Sequence, residues 1–117
     1  KDKVIVQFDE PIFATSVSGK ELSLLKIAYT KLAKVRKNVK IIVATYFDHS
    51  VEATKVLVRT PIVGLALDFV HGKKNMESLE LIKEFKKKLL VGIVNGRNIW
   101  INNINESLNL LKEISEV

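Results

Sequence analysis

Residues 89–100 read Leu-Leu-Val-Gly-Ile-Val-Asn-Gly-Arg-Asn-Ile-Trp. The run 89–94 is continuously apolar and rich in β-branched residues, as expected of a strand covered on both faces. Asn95-Gly96 then breaks it, because glycine tolerates backbone angles that other residues avoid. Arg97, Asn98 and the only tryptophan, Trp100, follow at once. A buried strand running into a glycine turn and clustered polar groups is how α/β proteins build the working end of a sheet.

Three earlier segments repeat this plan. Residues 4–8 (Val-Ile-Val-Gln-Phe) form a first strand that Pro11 stops, leaving Asp9 and Glu10 at its carboxyl end. A helix is expected over 20–37, with Leu22, Leu25, Tyr29 and Leu32 as its apolar stripe and Ala28 and Val35 widening it. Residues 41–45 form the second strand, followed by Tyr46-Phe47-Asp48-His49. Ser50 or Asp48 then caps a helix over 51–59 that Pro61 closes. The third strand covers 65–70, with Asp68 inside its apolar run and His71-Gly72-Lys73 behind it. Asn75 is placed to cap a third helix carrying Met76, Leu79, Ile82 and Phe85 inward. After the opening stretch, Asn103 and Glu106 have capping-box spacing before a last helix that turns Leu108, Leu111 and Ile114 inward.

Strand then helix, four times over, means parallel strands joined by right-handed crossovers. All four carboxyl ends then lie on one side. Asp9, Glu10, Tyr46, Asp68, His71, Asn95, Arg97 and Asn98 should gather there as a polar network at one mouth. Asp9 and Glu10 are adjacent, so in an extended strand they point to opposite faces and do not form an acid/base dyad by themselves. Arg97 facing Asp9, Glu10 or Asp68 is the expected structural ion pair. His49 and His71 have no metal-ligand spacing, and the glycines form no phosphate-binding fingerprint. Trp100 and Tyr46 read as core or rim packing. Neither a catalytic residue nor a metal ligand is assigned.

At 117 residues the chain is one domain at most, and 47% apolar content suffices for a core. No apolar run approaches the length of a membrane span, and no signal peptide opens the chain. Cysteine is absent, which removes disulfides and thiolate metal sites and fits a reducing, cytoplasmic setting. The net charge of +6 concentrates in Lys34, Arg36, Lys37 and Lys40 and in Lys83, Lys86, Lys87 and Lys88. Both clusters fall where helices are expected to end, where cations complement the helix dipole. Neither is interleaved with aromatics, so nucleic acid is not an expected partner, and neither is a membrane. The chain starts at Lys1, without Met and close to its first strand, which suggests a piece of something longer.

Four motifs stand in series: Val6-Gln7-Phe8-Asp9-Glu10-Pro11, Ala44-Thr45-Tyr46-Phe47, the run from Gly64-Leu65-Ala66-Leu67-Asp68 through Phe69-Val70-His71-Gly72, and Gly92-Ile93-Val94-Asn95-Gly96-Arg97-Asn98-Ile99-Trp100. In order and spacing they resemble the amino-terminal domain of cobalamin-independent methionine synthase. The last is the most specific. That enzyme transfers a methyl group from 5-methyltetrahydropteroyltriglutamate to homocysteine and has two (βα)8 barrels. The catalytic zinc lies in the carboxyl-terminal barrel, on His and Cys of one strand and Glu of the next. Here the corresponding strand reads Val43-Ala44-Thr45-Tyr46-Phe47, with neither His nor Cys, and only Asp68 remains acidic on the next. The resemblance therefore implies an α/β fold of four parallel βα units, half of the zinc-free TIM (βα)8 barrel. It implies no cofactor here, with zinc held by the parent enzyme's other barrel. Expected partners are the rest of its own barrel and the catalytic barrel, with the folate polyglutamate and homocysteine binding in the parent.

Half a barrel would leave two open strand edges and one bare face. The isolated chain is therefore expected to self-associate, to bind no zinc and to transfer no methyl group. The rival reading is a complete small doubly wound α/β ligand-binding module. A receiver of that type needs an acidic cluster and a lysine after a late strand, which Lys73 and Arg97 fit poorly. A basic nucleic-acid adaptor would bind polyanions with steep salt dependence. Strand order separates a barrel from a doubly wound sheet.

Overall fold

A computed structural model describes residues 2–117. Four strands, β1 (Val4–Asp9), β2 (Val39–Thr45), β3 (Gly64–Asp68) and β4 (Lys88–Gly92), form one parallel sheet in the order β1-β2-β3-β4. Helices α1 (Gly19–Leu32), α2 (Val51–Leu57) and α3 (Leu79–Glu84) make the crossovers, and α4 (Ile104–Ser115) follows β4. Short 3-10 turns sit at Pro11–Ala14 and Lys73–Ser78.

The register divides the sheet into two faces. Phe8, Val43, Leu65 and Leu89 lie in one row, as do Asp9, Ala44, Ala66 and Leu90 one step along on the opposite face. The first face is the core. Val43, Leu65 and Leu67 are buried there against Leu25 and Tyr29 of α1, Ala53 and Leu57 of α2, and Leu79 and Ile82 of α3. On the other face Ile5 is 64% and Leu90 40% exposed, because no helix covers it. A doubly wound sheet carries helices on both faces and reverses its strand order. Neither happens here. Sequential parallel strands with all crossovers on one side are the winding of half a (βα)8 barrel.

Several local expectations change. The first helix stops at Leu32, well before Lys37, and Val35 is 71% exposed. The chain must turn there so that Asn38 O can accept from Val4 N–H and lead β2 in beside β1. The basic cluster after it therefore lies in a turn and on β2, not on a helix end. Ser18 caps α1 in a full capping box with Glu21, a Ser-x-x-Glu spacing legible in the sequence.

Asn75 does not cap a helix. It lies inside the 3-10 turn, fully buried, and α3 begins four residues later. In α4 it is Ser107, Leu110 and Ile114 that face inward, while Leu108 and Leu111 stay exposed. Asn103 does cap this helix, accepting from Glu106 N–H at 3.3 Å. β4 ends at Gly92, where its partner Asp68 ends, so Ile93 and Val94 leave the sheet. β4 is also an edge with one bare face, not the doubly covered strand its apolar run suggested. Among the described residues, no helix is long and apolar enough to cross a membrane.

Candidate functional site

Parallel order brings the four carboxyl ends to one edge of the sheet, as the alternation of strand and helix required. Asp9 and Glu10 do diverge. Asp9 Oδ1 accepts from Gln7 Nε2 at 2.8 Å, whereas Glu10 turns to the helical layer and accepts from the Tyr29 hydroxyl at 2.5 Å. Burial, reinforced by the Glu10 carboxylate, pushes the Tyr29 phenol well above its ordinary pKa. Tyr46 stands at the end of β2, its phenol also raised by burial and by the nearby Asp9 carboxylate.

Asp68 is nearly buried and is satisfied from within its own turn. Its Oδ1 accepts the backbone N–H groups of Val70 and His71 at 2.8 and 3.0 Å. Its Oδ2 lies 3.0 Å from His71 Nδ1, and among the described residues this is the one ion-pair contact at the mouth. Asp68 therefore escapes the cost of an unpaired buried charge by a local His partner.

Among the described residues Arg97 pairs with no carboxylate, contrary to expectation. Its guanidinium lies over the Phe47 ring, 4.6 Å from the centroid. Phe47 in turn meets the His71 ring edge-on at 5.9 Å and the Tyr46 ring at 5.0 Å. The physical reason is local: Asp68 is engaged by its own turn, Glu10 is turned away to Tyr29, and a cation on an aromatic face needs no counter-charge. The Tyr46–Phe47 peptide is cis, and Asp48 beyond it has φ 142°.

Asn95 and Asn98 make turns of their own, accepting from Arg97 N–H at 3.0 Å and Trp100 N–H at 3.1 Å. They order the loop, and among the described residues their side chains make no hydrogen bond to the mouth residues of the first three strands. Trp100 is 78% exposed, flanked by Ile99 and Ile101 at 95% and 98%, so it is neither core nor rim packing.

Sequence reasoning passed over two residues. Asn75 ties the mouth together, its Oδ1 accepting from Ser50 N–H at 2.9 Å and its Nδ2 donating to the Asp68 carbonyl at 2.8 Å. Phe47 forms the platform between His71 and Arg97. No local signal marks either one, since both act on partners far away in the chain.

The family described as cobalamin-independent synthase, N-terminal domain, matches residues 1–117. The chain belongs to this family. It is 44% identical over 98% of its length to a 5-methyltetrahydropteroyltriglutamate–homocysteine methyltransferase of Desulforamulus reducens. Proteins of the same name from Streptomyces coelicolor and Streptococcus sanguinis are 43% and 38% identical over 91% and 93% of it. The chain spans about 15% of the length of these family members.

The residues present do not suit a zinc ion. The chain has no cysteine, and among the described residues no three His, Asp or Glu side chains converge.

Proposed function

We propose that this chain is a structural part of a methyltransferase that moves the methyl group of 5-methyltetrahydropteroyltriglutamate to homocysteine. The observation that carries this is membership of the synthase family at up to 44% identity with enzymes of that name. The geometry agrees with a bracing role. Asp68, Glu10 and Asp9 each serve a neighbour within the fold. In this reading the zinc belongs to another barrel of the parent enzyme, which works in the cytoplasm. The bare face of the sheet is covered by the other four βα units of the same barrel. Taken alone, the chain self-associates, either as two halves completing a pseudo-barrel or through the open edges of β1 and β4.

The test assays two proteins side by side for methionine production: the chain alone, and a full-length methyltransferase carrying this segment. Turnover is expected from the full-length protein only. Methionine formed by the chain alone, or an inert full-length protein, overturns the proposal.

A further inference from the structure

Helix α4 has two apolar stripes, and the fold uses one of them. Leu110 and Ile114 pack on the core, with Ser107 buried beside them. Ile104, Leu108 and Leu111 recur at helical spacing on an adjoining face and stay exposed, Ile104 to 67%. Single exposed apolar residues are ordinary, but three in a row on the helix that flanks an edge strand mark a contact surface.

The opposite edge of the sheet has the matching defect. Val4, Val6 and Phe8 alternate onto the helical face of β1, in register with Val39, Ile41 and Val43. Ile41 and Val43 are buried there, yet Val4 is 48% exposed and Val6 and Phe8 are only half-buried. In a parallel βα winding, a helix sits over the groove between its own strand and the next. Since α4 follows β4, the last strand of the sheet, its second stripe reaches past the point where the sheet ends.

Charge points the same way. α4 with its C-cap carries Glu106, Glu113 and Glu116 against Lys112, whereas α1 carries Lys20, Lys26 and Lys31 against Glu21. Two α4 helices side by side, or two α1 helices, oppose like charges; α4 beside α1 pairs opposite ones.

We propose that the Ile104–Leu108–Leu111 stripe of one copy packs over β1 of a second copy, whose β1 pairs in parallel with β4 of the first. The second junction is the same contact with the roles exchanged, as two-fold symmetry requires. Two copies then supply the eight strands of a closed barrel, which has no edges and turns the bare face inward. Pairing β4 with β4 would instead leave both β1 edges open. The proposal rests on the self-association described above and selects one of its two modes; methyl transfer plays no part in it.

α4 runs back against the strands, so Leu111 meets the Val4 end of β1 and Ile104 the Phe8 end. The chain has no cysteine, so introduced ones report the contact. Leu111→Cys and Val4→Cys proteins are treated with a short bismaleimide, each alone and after mixing. Cross-linked dimer should be several-fold more abundant in the mixture, because in the closed dimer the two copies of either residue stand on opposite sides of the barrel. Leu108→Glu, already exposed in the single copy, should keep the circular dichroism of the parent. It should weaken the dimer seen in sedimentation about a hundredfold, since each dimer loses two leucines from its junctions and gains two carboxylates there.

Either cysteine protein cross-linking with itself as well as in the mixture overturns the junction and leaves self-association standing. A dimer undiminished by Leu108→Glu also overturns the junction, and a chain that stays monomeric overturns both.

Discussion

The Asn75 amide, fully buried, donates from Nδ2 to the main-chain carbonyl of Asp68 at 2.8 Å. Its Oδ1 meanwhile accepts from Ser50 N–H at 2.9 Å, so one side chain joins the end of β3 to the start of α2. Ser50, freed from capping, shares a 2.6 Å hydrogen bond with Thr45 at the end of β2. Three consecutive elements are therefore held at the mouth by a buried polar chain, which is expensive to leave half-made.

Replacing Asn75 by Leu removes both bonds and strands a buried N–H and a buried carbonyl. A loss of about 2–4 kcal/mol is expected. Urea unfolding measures it, and Asn75→Asp should cost no less than Asn75→Leu, because it buries a carboxylate oxygen against the Asp68 carbonyl with no donor between them. An unchanged midpoint for Asn75→Leu would show that the pin is ornamental.

Gly72 is needed for close approach. A Cβ there would lie 2.5 Å from the Asp48 carbonyl carbon and 2.6 Å from the Asp68 carbonyl oxygen. Both are backbone atoms that cannot swing aside. Gly72→Ala should cost about 1–3 kcal/mol, and it should also move the NMR signals of Phe47 and His71. Retention of both stability and spectrum would contradict the packing described.

The capping box predicts a pH effect of known sign. Hydrogen bonds from the Ser18 backbone and hydroxyl hold the Glu21 carboxyl below its usual range. A group whose folded pKa is depressed stabilises the fold above its unfolded value and loses that contribution as pH falls through the folded one. Acid should therefore lower Tm less steeply in Glu21→Gln than in the parent. Ser18→Ala should cost about 1 kcal/mol at neutral pH. Parallel acid profiles for parent and Glu21→Gln would argue against the box.

The bare face predicts association. Ile5 and Leu90 are exposed on it, and β1 and β4 have unpaired outer edges. Sedimentation of the isolated chain at micromolar concentration should show a species larger than a monomer, reduced by Ile5→Lys. A stable monomer throughout would sink this expectation.

The basic clusters show how local reading and tertiary use diverge. Lys87 looked like one of several solvated lysines. Its ammonium donates at 2.8 Å to the carbonyls of both Thr60 and Ile62, closing the turn between α2 and β3. Burial there lowers its pKa. Lys87→Met should leave those two carbonyls unanswered and lower the unfolding midpoint, where Lys86→Met, exposed in the turn between α3 and β4, should not.

Much of the architecture follows from sequence alone, because apolar runs of period two and stripes of period near four are local properties. They determined four strands, the crossovers between them, the parallel order and the edge at which Asp9, Tyr46, Asp68 and His71 appear. The divergence of Asp9 from Glu10 also followed, from the alternation of side chains along a strand. What the tertiary structure decided is which polar groups meet. Asp68 took His71 three residues on, Glu10 took Tyr29 from α1, and Arg97, left without a carboxylate, settled on Phe47. Asn75 abandoned the helix cap that its neighbours suggested because two buried backbone groups needed it more. Strand register and helix packing choose among such partners by distances that no sequence spacing encodes. Hence the fold was legible in the chain, and the wiring of its mouth was not.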